Sequence, residues 1–271
     1  MAERFKAHAW RACSRFLRDG GSNPPLTEFT IQNQKVKKFT LTHHYSFFSP
    51  NKEVAYILFK PSQLIDFVEG QFLLLEKEIN SKLIKRAYSI ATTKKQLQKE
   101  WFIGTIVKRV SENGMSNYLV REIKPGDRLE ATGPLGHMKL DESYQNFLLV
   151  AIGSGLSPIF SIYQALIERD NFQKIAFLYG ERSFDFLVPQ VINKIKSFES
   201  PNVYNQLFLS REEREGFQKW YVQQGLDPAI KFLGKDFKAY LCGKPQMVEE
   251  ITAKLMNDYQ IPKQNISFEK Y

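Results

Sequence analysis

Three short stretches of this chain combine residue types and spacings that could do chemistry. The first, Gly153-Ser154-Gly155-Leu156-Ser157-Pro158, separates a continuous apolar run, Phe147–Ile152, from a helical pattern that begins at Pro158. Glycines at such a strand-to-helix turn let backbone N–H groups approach a pyrophosphate at the positive end of the helix dipole. The turn departs from G-x-G-x-x-G because Pro158 takes the third glycine's place, and proline suits a first helical turn. A tight turn without any ligand would favour the same residues. The second stretch is Arg86-Ala87-Tyr88-Ser89. On a strand, Arg86 and Tyr88 share a face and offer a cation for phosphate beside an aromatic plane, although an ordinary cross-strand pair reads the same way. The third, Asn113-Gly114-Met115-Ser116, reads as a turn opening a helix. Gly114 can take positive φ there, and Ser116 can cap the helix and leave amides free for an anion. Two anion sites, one in each half of the chain, are what a pair of facing dinucleotides would require.

Other chemistries are excluded by composition. Two cysteines, Cys13 and Cys242, are too few for a disulfide scaffold or for the four thiolates of an iron–sulfur cluster. The four histidines (His8, His43, His44 and His137) show no ligand spacing, and the adjacent pair would point to opposite faces of a strand. No metal site is therefore expected, and any redox chemistry would rest on an organic cofactor. After the strand-like run Ile175–Tyr179 comes Gly180-Glu181-Arg182. Glu181 is a candidate substitute for the acid that grips ribose hydroxyls in many NAD enzymes, but Arg182 beside it points to phosphate.

The elements that must position these motifs fall into two groups. At about 150 residues per domain, 271 residues suggest nearly two domains, and 43% apolar content suffices to build their cores. No apolar run approaches the roughly 20 residues of a membrane span. Strand-like segments occur at Lys35–Thr42, Glu53–Lys60, Gly70–Glu76, Arg86–Thr92, Trp101–Val110 and Asp127–Thr132, separated by Pro, Gly and Asn signals. They predict an antiparallel β-barrel or sandwich, interrupted by a helix at Ser116–Ile123. After Asp141, strands at Phe147–Ile152, Lys174–Tyr179, Val203–Leu209, Phe237–Cys242 and Ile266–Glu269 alternate with helices at Pro158–Arg169, Val188–Phe198 and Gln246–Tyr259. That rhythm predicts a doubly wound α/β domain of Rossmann type. The expected division is a basic N-terminal extension and linker over residues 1–28, a β-barrel over 29–143 and an α/β domain over 144–271. Met1–Asp19 reads as a short basic helix, and Gly20–Pro25 as its linker.

Taken together, RAYSIA (Arg86–Ala91), GTIVKRVSENGMSNYL (Gly104–Leu119), GPLG (Gly133–Gly136), GSGLSP (Gly153–Pro158), YGER (Tyr179–Arg182), LSRE (Leu209–Glu212), CGKPQM (Cys242–Met247) and FEKY (Phe268–Tyr271) resemble, in this order, the ferredoxin–NADP⁺ reductase family. The resemblance implies a β-barrel FAD-binding domain followed by a Rossmann-like NAD(P)-binding domain. It also implies roles for individual residues. Arg86 and Ala87, with Gly114, Met115 and Ser116, would meet the FAD pyrophosphate side, Tyr88 would lie against the isoalloxazine, and Ser89 would sit near its hydride-accepting nitrogen. Ile106, Val107 and Lys108 would follow the FAD adenosine arm. Gly153, Ser154, Gly155, Ser157 and Pro158 would receive the NADPH pyrophosphate. Ser210 and Arg211, helped by Arg182, would hold the adenosine 2′-phosphate. Cys242 would lie beside the nicotinamide, and Glu269 and Tyr271 match a terminal Glu-x-Tyr whose tyrosine would act as a displaceable lid over the flavin. A core cysteine and a frayed tail are the plain alternatives for these last positions.

The implied activity is electron transfer between NADPH and a one-electron carrier, with FAD as relay, by a cytoplasmic enzyme. Residues 82–99 hold Lys82, Lys85, Arg86, Lys94, Lys95 and Lys99 without Asp or Glu, and the net charge is +9. An acidic ferredoxin or flavodoxin is the partner such a surface would steer. An NAD(P)H:flavin reductase, or the reductase component of an oxygenase system, is the alternative. No nucleic-acid signature appears.

Overall fold

The computed structural model describes residues 30–31, 34–169 and 172–271. The helix expected at Met1–Asp19 and the linker expected at Gly20–Pro25 lie outside the described residues.

Alternating apolar positions in the first half build six antiparallel strands: β1 (Lys37–Phe48), β2 (Val54–Pro61), β3 (Phe72–Ile79), β4 (Lys82–Ser89), β5 (Ile103–Lys108) and β6 (Arg128–Leu135). Their order is β4-β3-β6-β1-β2-β5. A bulge between His43 and Tyr45 breaks the register of β1 against β2 and bends the sheet there. It also sends His43 inward, where its Nε2 lies 2.9 Å from Ser46 Oγ, while His44 stacks outside on Phe102. Inward residues such as Leu41, Ile57, Phe59, Leu75 and Leu129 close one core. The sheet curls until Ala91, just past β4, donates its N–H to the Gly104 carbonyl of β5 at 2.7 Å. The expected barrel is therefore a half-barrel, with no strand ladder among the described residues joining its two edges.

Between β4 and β5 lies α1 (Lys94–Glu100), which the sequence reading passed over as a basic stretch. Its signal is the capping box Thr93-x-x-Gln96, in which each side chain satisfies the other's backbone N–H. The helix expected at Ser116–Ile123 is a single turn, α2 (Met115–Asn117), which widens into a π-helical turn at Tyr118–Glu122.

In the second half, β7 (Asn146–Ile152), β8 (Lys174–Glu181), β9 (Val203–Leu209), β10 (Gln218–Lys219), β11 (Lys238–Gly243) and β12 (Ile266–Lys270) form one parallel sheet, ordered β10-β9-β8-β7-β11-β12. The continuous apolar run of β7 is buried on both faces, as a central parallel strand requires. Phe147, Leu149 and Ala151 pack with α3 (Leu156–Arg169) and α4 (Pro189–Lys196), while Leu148 and Val150 pack with α5 (Leu226–Leu233) and α6 (Pro245–Asn257). Two helix layers on one parallel sheet make the doubly wound architecture. The strand β10 and the helix α5 were not read from the sequence; Leu226, Ala229, Ile230 and Leu233 supply the spacing of a buried helical face.

One face of α3 joins the halves. Ser157, Ser161 and Gln164, all buried, donate to the carbonyls of Ser89 at 2.7 Å, Thr92 at 2.7 Å and Ala91 at 2.8 Å. One turn further on, Glu168 accepts from Thr93 Oγ1 at 2.7 Å and Gln96 Nε2 at 2.8 Å. The segment following β4 is thus held along the helix that follows the glycine turn, and this brings the first two motifs together.

Candidate active site

On the half-barrel side, β4 sets Arg86 and Tyr88 two residues apart. Arg86 is exposed and its Nη1 bonds only its neighbour's carbonyl, Lys85 O at 2.8 Å. Ala87 is exposed, and Tyr88 and Ser89 are half-buried; burial pushes the Tyr88 phenol well up. The turn at α2 packs against this strand. Gly114 there takes φ +105°, and a Cβ on it would meet nothing closer than Ser111 Oγ at 4.0 Å. No side chain caps α2. Ser116 does not play the capping part read for it: its hydroxyl accepts the Val110 N–H at 3.3 Å and closes the loop instead. The first amides of α2 carry no side-chain cap and the space over Gly114 is open, which is room a phosphate needs, and Arg86 lies exposed on the strand that α2 packs against. Ile106 and Val107 are buried within β5.

Across the crevice, the turn Gly153–Gly155 is a 3₁₀ turn feeding α3, with Gly153 at φ +56° and Pro158 buried in the first turn of the helix. Gly155 has no room for a side chain: a Cβ there would collide with the Cys242 carbonyl and lie 2.5 Å from the Tyr271 hydroxyl. Tyr271 donates this hydroxyl to the Ile152 carbonyl at 2.9 Å and its own N–H to Gly243 O at 3.2 Å. Its tip is therefore fastened on the glycine turn while 42% of the residue stays exposed. Cys242 pairs in register with Glu269 on β12. Burial and the neighbouring carboxylate push the Cys242 thiol far up, so it is a small neutral group rather than a nucleophile. Glu269 approaches the other lobe, with Oε1 3.5 Å from the position of a Cβ on Gly136 in the GPLG turn. Burial raises its carboxyl to about 7.

Two expected residues also make contacts between the lobes that their motifs do not reveal. Ser157 faces the lobe interface, where its hydroxyl also accepts the Ile106 N–H at 3.1 Å, so only its backbone remains for a phosphate. Lys108 leaves the half-barrel and meets Glu181 on β8 at 2.8 Å, with its ammonium 4.2 Å from the Phe186 ring centroid. A spacing argument within one domain could not reveal a pair whose partners are 73 residues apart.

Ser210 and Arg211 follow β9 and are held by their backbones, Ser210 N to Glu181 O at 3.0 Å and Arg211 N to Arg182 O at 2.9 Å. This brings Arg182 beside them, its guanidinium 5.9 Å from the Phe186 ring centroid. Beside them stand two exposed aromatics the sequence reading missed, Trp220 and Tyr221; Trp220 N donates to Leu209 O at 3.1 Å. Adjacent aromatics in a polar loop were the available signal. Among the described residues no cluster of His, Cys, Asp or Glu could hold a metal, and no helix is long and apolar enough to cross a membrane.

Residues 37–140 match the oxidoreductase FAD-binding domain family, and residues 149–253 match the oxidoreductase NAD-binding domain family. The chain is 28% identical over 207 residues to the toluate 1,2-dioxygenase electron transfer component of Pseudomonas putida, covering 76% of this chain and 59% of that one. It is 25% identical over 210 residues to a ferredoxin–NADP reductase of Pseudomonas aeruginosa, covering 70% and 78%. Among solved structures, the ferredoxin reductase in carbazole 1,9a-dioxygenase superposes with a TM-score of 0.74 at 21% identity, covering 89% of this chain and 73% of that one. Against the toluate, 2-halobenzoate and flavohemoprotein relatives the chain spans 53–60% of their length. With both lobes matched in the expected order, the chain belongs to the family of FAD- and NAD(P)-binding oxidoreductases that share the ferredoxin reductase-like fold.

Proposed function

We propose that this chain moves electrons between NADPH and a one-electron protein carrier, a ferredoxin or flavodoxin, through an FAD held between its lobes. The observation that carries the reading is the convergence at Tyr271, whose hydroxyl bonds Ile152 beside the glycine turn while Glu269, two residues earlier, reaches the GPLG turn of the other lobe. FAD, when bound, supplies the exchange between the two-electron chemistry of nicotinamide and single-electron carriers.

The chain's own residues position and protect. Arg86 and the amides of Gly114, Met115 and Ser116 would hold the flavin nucleotide's phosphates, and Tyr88 would offer its ring. Gly153, Ser154 and Gly155 would hold the pyridine nucleotide's phosphates, with Arg182, Ser210 and Arg211 at the 2′-phosphate. Tyr271 covers the turn until the nicotinamide displaces it. Glu269 holds a proton at its carboxyl near neutral pH, beside the neutral thiol of Cys242. The bonds from Ser157, Ser161 and Gln164 fix the lobe spacing, which is the orientation term that matters when two rings must meet face to face.

For the acceptor, Lys82, Lys95 and Lys99 are exposed and form no ion pair among the described residues, whereas Lys85 pairs with Glu76 and Lys94 with Asp66. Free cations on β4 and α1 favour an acidic carrier. The reading as reductase component of an oxygenase system is favoured by the names of its relatives, several being dioxygenase electron transfer components. An acceptor panel of ferredoxin, flavodoxin, cytochrome and free flavin, with NADPH and NADH at matched salt, tests the proposal. Fastest turnover with an acidic carrier, slowing steeply as salt rises, is expected; fastest turnover with free flavin, flat across salt, contradicts it.

A further inference from the structure

Glu181 ends β8 directly beneath the glycine turn, and its side chain is only 3% exposed. One carboxylate oxygen, Oε1, is occupied twice, by Lys108 Nζ at 2.8 Å and by the Arg182 N–H at 2.8 Å. The other, Oε2, is buried without any partner among the described residues. A Cβ on Gly153 would lie 3.7 Å from this Oε2, so the free oxygen faces the glycine at the mouth of the turn. A buried charged acceptor with an empty lone pair is costly unless something donates to it.

The chemistry of the missing donor follows from the surroundings. A phosphate brings only negative charge and acceptors, so it cannot satisfy a carboxylate oxygen. A hydroxyl can. The cations around Lys108, namely Arg182 and Lys244, add their fields there, and burial lowers the Lys108 ammonium while Glu181 raises it. This grouping balances Glu181 and lets a carboxylate stand beside a phosphate-binding turn without expelling the phosphate. A dinucleotide running over Gly153 carries both kinds of group, phosphates for the amides and ribose hydroxyls for Oε2.

We propose that Glu181 is a hydroxyl-reading residue of the nucleotide crevice: its free oxygen accepts a hydrogen bond from a ribose hydroxyl of the pyridine dinucleotide, and Lys108, reaching over from the FAD-binding lobe, holds the carboxylate in place. This rests on the reading that a pyridine dinucleotide occupies the turn. It adds a recognition element separate from the 2′-phosphate group at Ser210 and Arg211, and it makes hydroxyl reading depend on the two lobes being closed.

The test is equilibrium binding of oxidised nucleotides to the flavin-loaded protein, without turnover. NADP⁺ and NAD⁺ are compared with analogues lacking a hydroxyl on the nicotinamide ribose and with 3′-deoxyadenosine analogues. The native chain binds one class of analogue about ten-fold or more weaker than its parent, the expected loss for a hydrogen bond to a charged group, and the arm affected tells which ribose donates. Glu181→Gln, nearly isosteric, reduces that ratio to about three-fold, and the paired variant Lys108→Met with Glu181→Met brings it to about one. A role confined to bridging the lobes would weaken parent and analogue alike and leave the ratio unchanged. Native protein that binds parent and analogues equally overturns the inference while leaving the proposed function standing, and this arm needs no variant to fold. Protein that binds neither NADP⁺ nor NAD⁺ overturns both.

Discussion

The Ser157 hydroxyl lies between the lobes, donating to the Ser89 carbonyl at 2.7 Å while accepting the Ile106 N–H at 3.1 Å. A residue in the first turn of α3, just after the glycine turn, thereby fixes the last residue of the Arg86–Ser89 motif. The two motifs are separate in sequence but are bolted together by one side chain.

Ser157→Ala should therefore act on stability and geometry at once. It leaves a half-buried carbonyl and a buried N–H unpaired, the buried one costing about 1–3 kcal/mol and the other less. A loss of about 2–4 kcal/mol in chemical denaturation is expected, together with weaker flavin retention. A change below about 0.5 kcal/mol would show that the lobes are held by other contacts.

Much of this arrangement was legible in the sequence, for reasons that can be traced. The run Phe147–Ile152 reads as a central parallel strand because burial on both faces removes the polar alternation, and β7 is found there. Val203–Leu209 coincides with β9. What escaped reading depends on partners distant in the chain. Helix α1 carries only Leu97 as a buried anchor and is specified by its Thr93–Gln96 cap, a signal outweighed by its lysines. Ser116 looked like a cap, but the α2 turn starts at Gly114, which leaves that hydroxyl to the loop. The motifs of the candidate site were legible as spacings; the pairing of Lys108 with Glu181 and the burial of Ser157 exist only once two lobes meet.

The carboxyl of Glu269 titrates near 7 because it is buried. Its folded value lies above the unfolded one, so the native state binds the extra proton between the two. The stability it contributes is complete at acid pH and is lost as pH rises from about 4.5 through about 7. Flavin reduction by the nucleotide should carry an inflection near pH 7 that Glu269→Gln removes. A stopped-flow pH profile that keeps its inflection in the variant would assign the titration to another group.

Tyr271 is fastened at its hydroxyl above the turn that the nicotinamide nucleotide would use. Tyr271→Ser removes the ring and the bond to Ile152. Tighter binding of NADP⁺, by about ten-fold, is expected from a nucleotide that no longer competes with the side chain. Calorimetric titration checks this, and unchanged affinity would mean that Tyr271 and the nicotinamide never compete.

Arg211 is exposed next to Ser210 and is free to meet a phosphate. Arg211→Ala should lower the preference for NADPH over NADH by about ten-fold or more, equivalent to about 1.5–3 kcal/mol for a charge-assisted contact. The ratio of kcat/KM values for the two nucleotides measures it. An unchanged ratio would place the 2′-phosphate away from this corner.

The central claim is that a flavin dinucleotide sits between the lobes and is reduced there by a pyridine nucleotide. Its most direct test is an anaerobic titration of the purified, FAD-reconstituted chain with NADPH, followed by visible absorbance. The account predicts a yellow protein with one tightly held FAD per chain whose flavin band bleaches on stoichiometric NADPH. A chain that stays colourless after reconstitution, or holds FAD that NADPH and NADH leave oxidised, would contradict it.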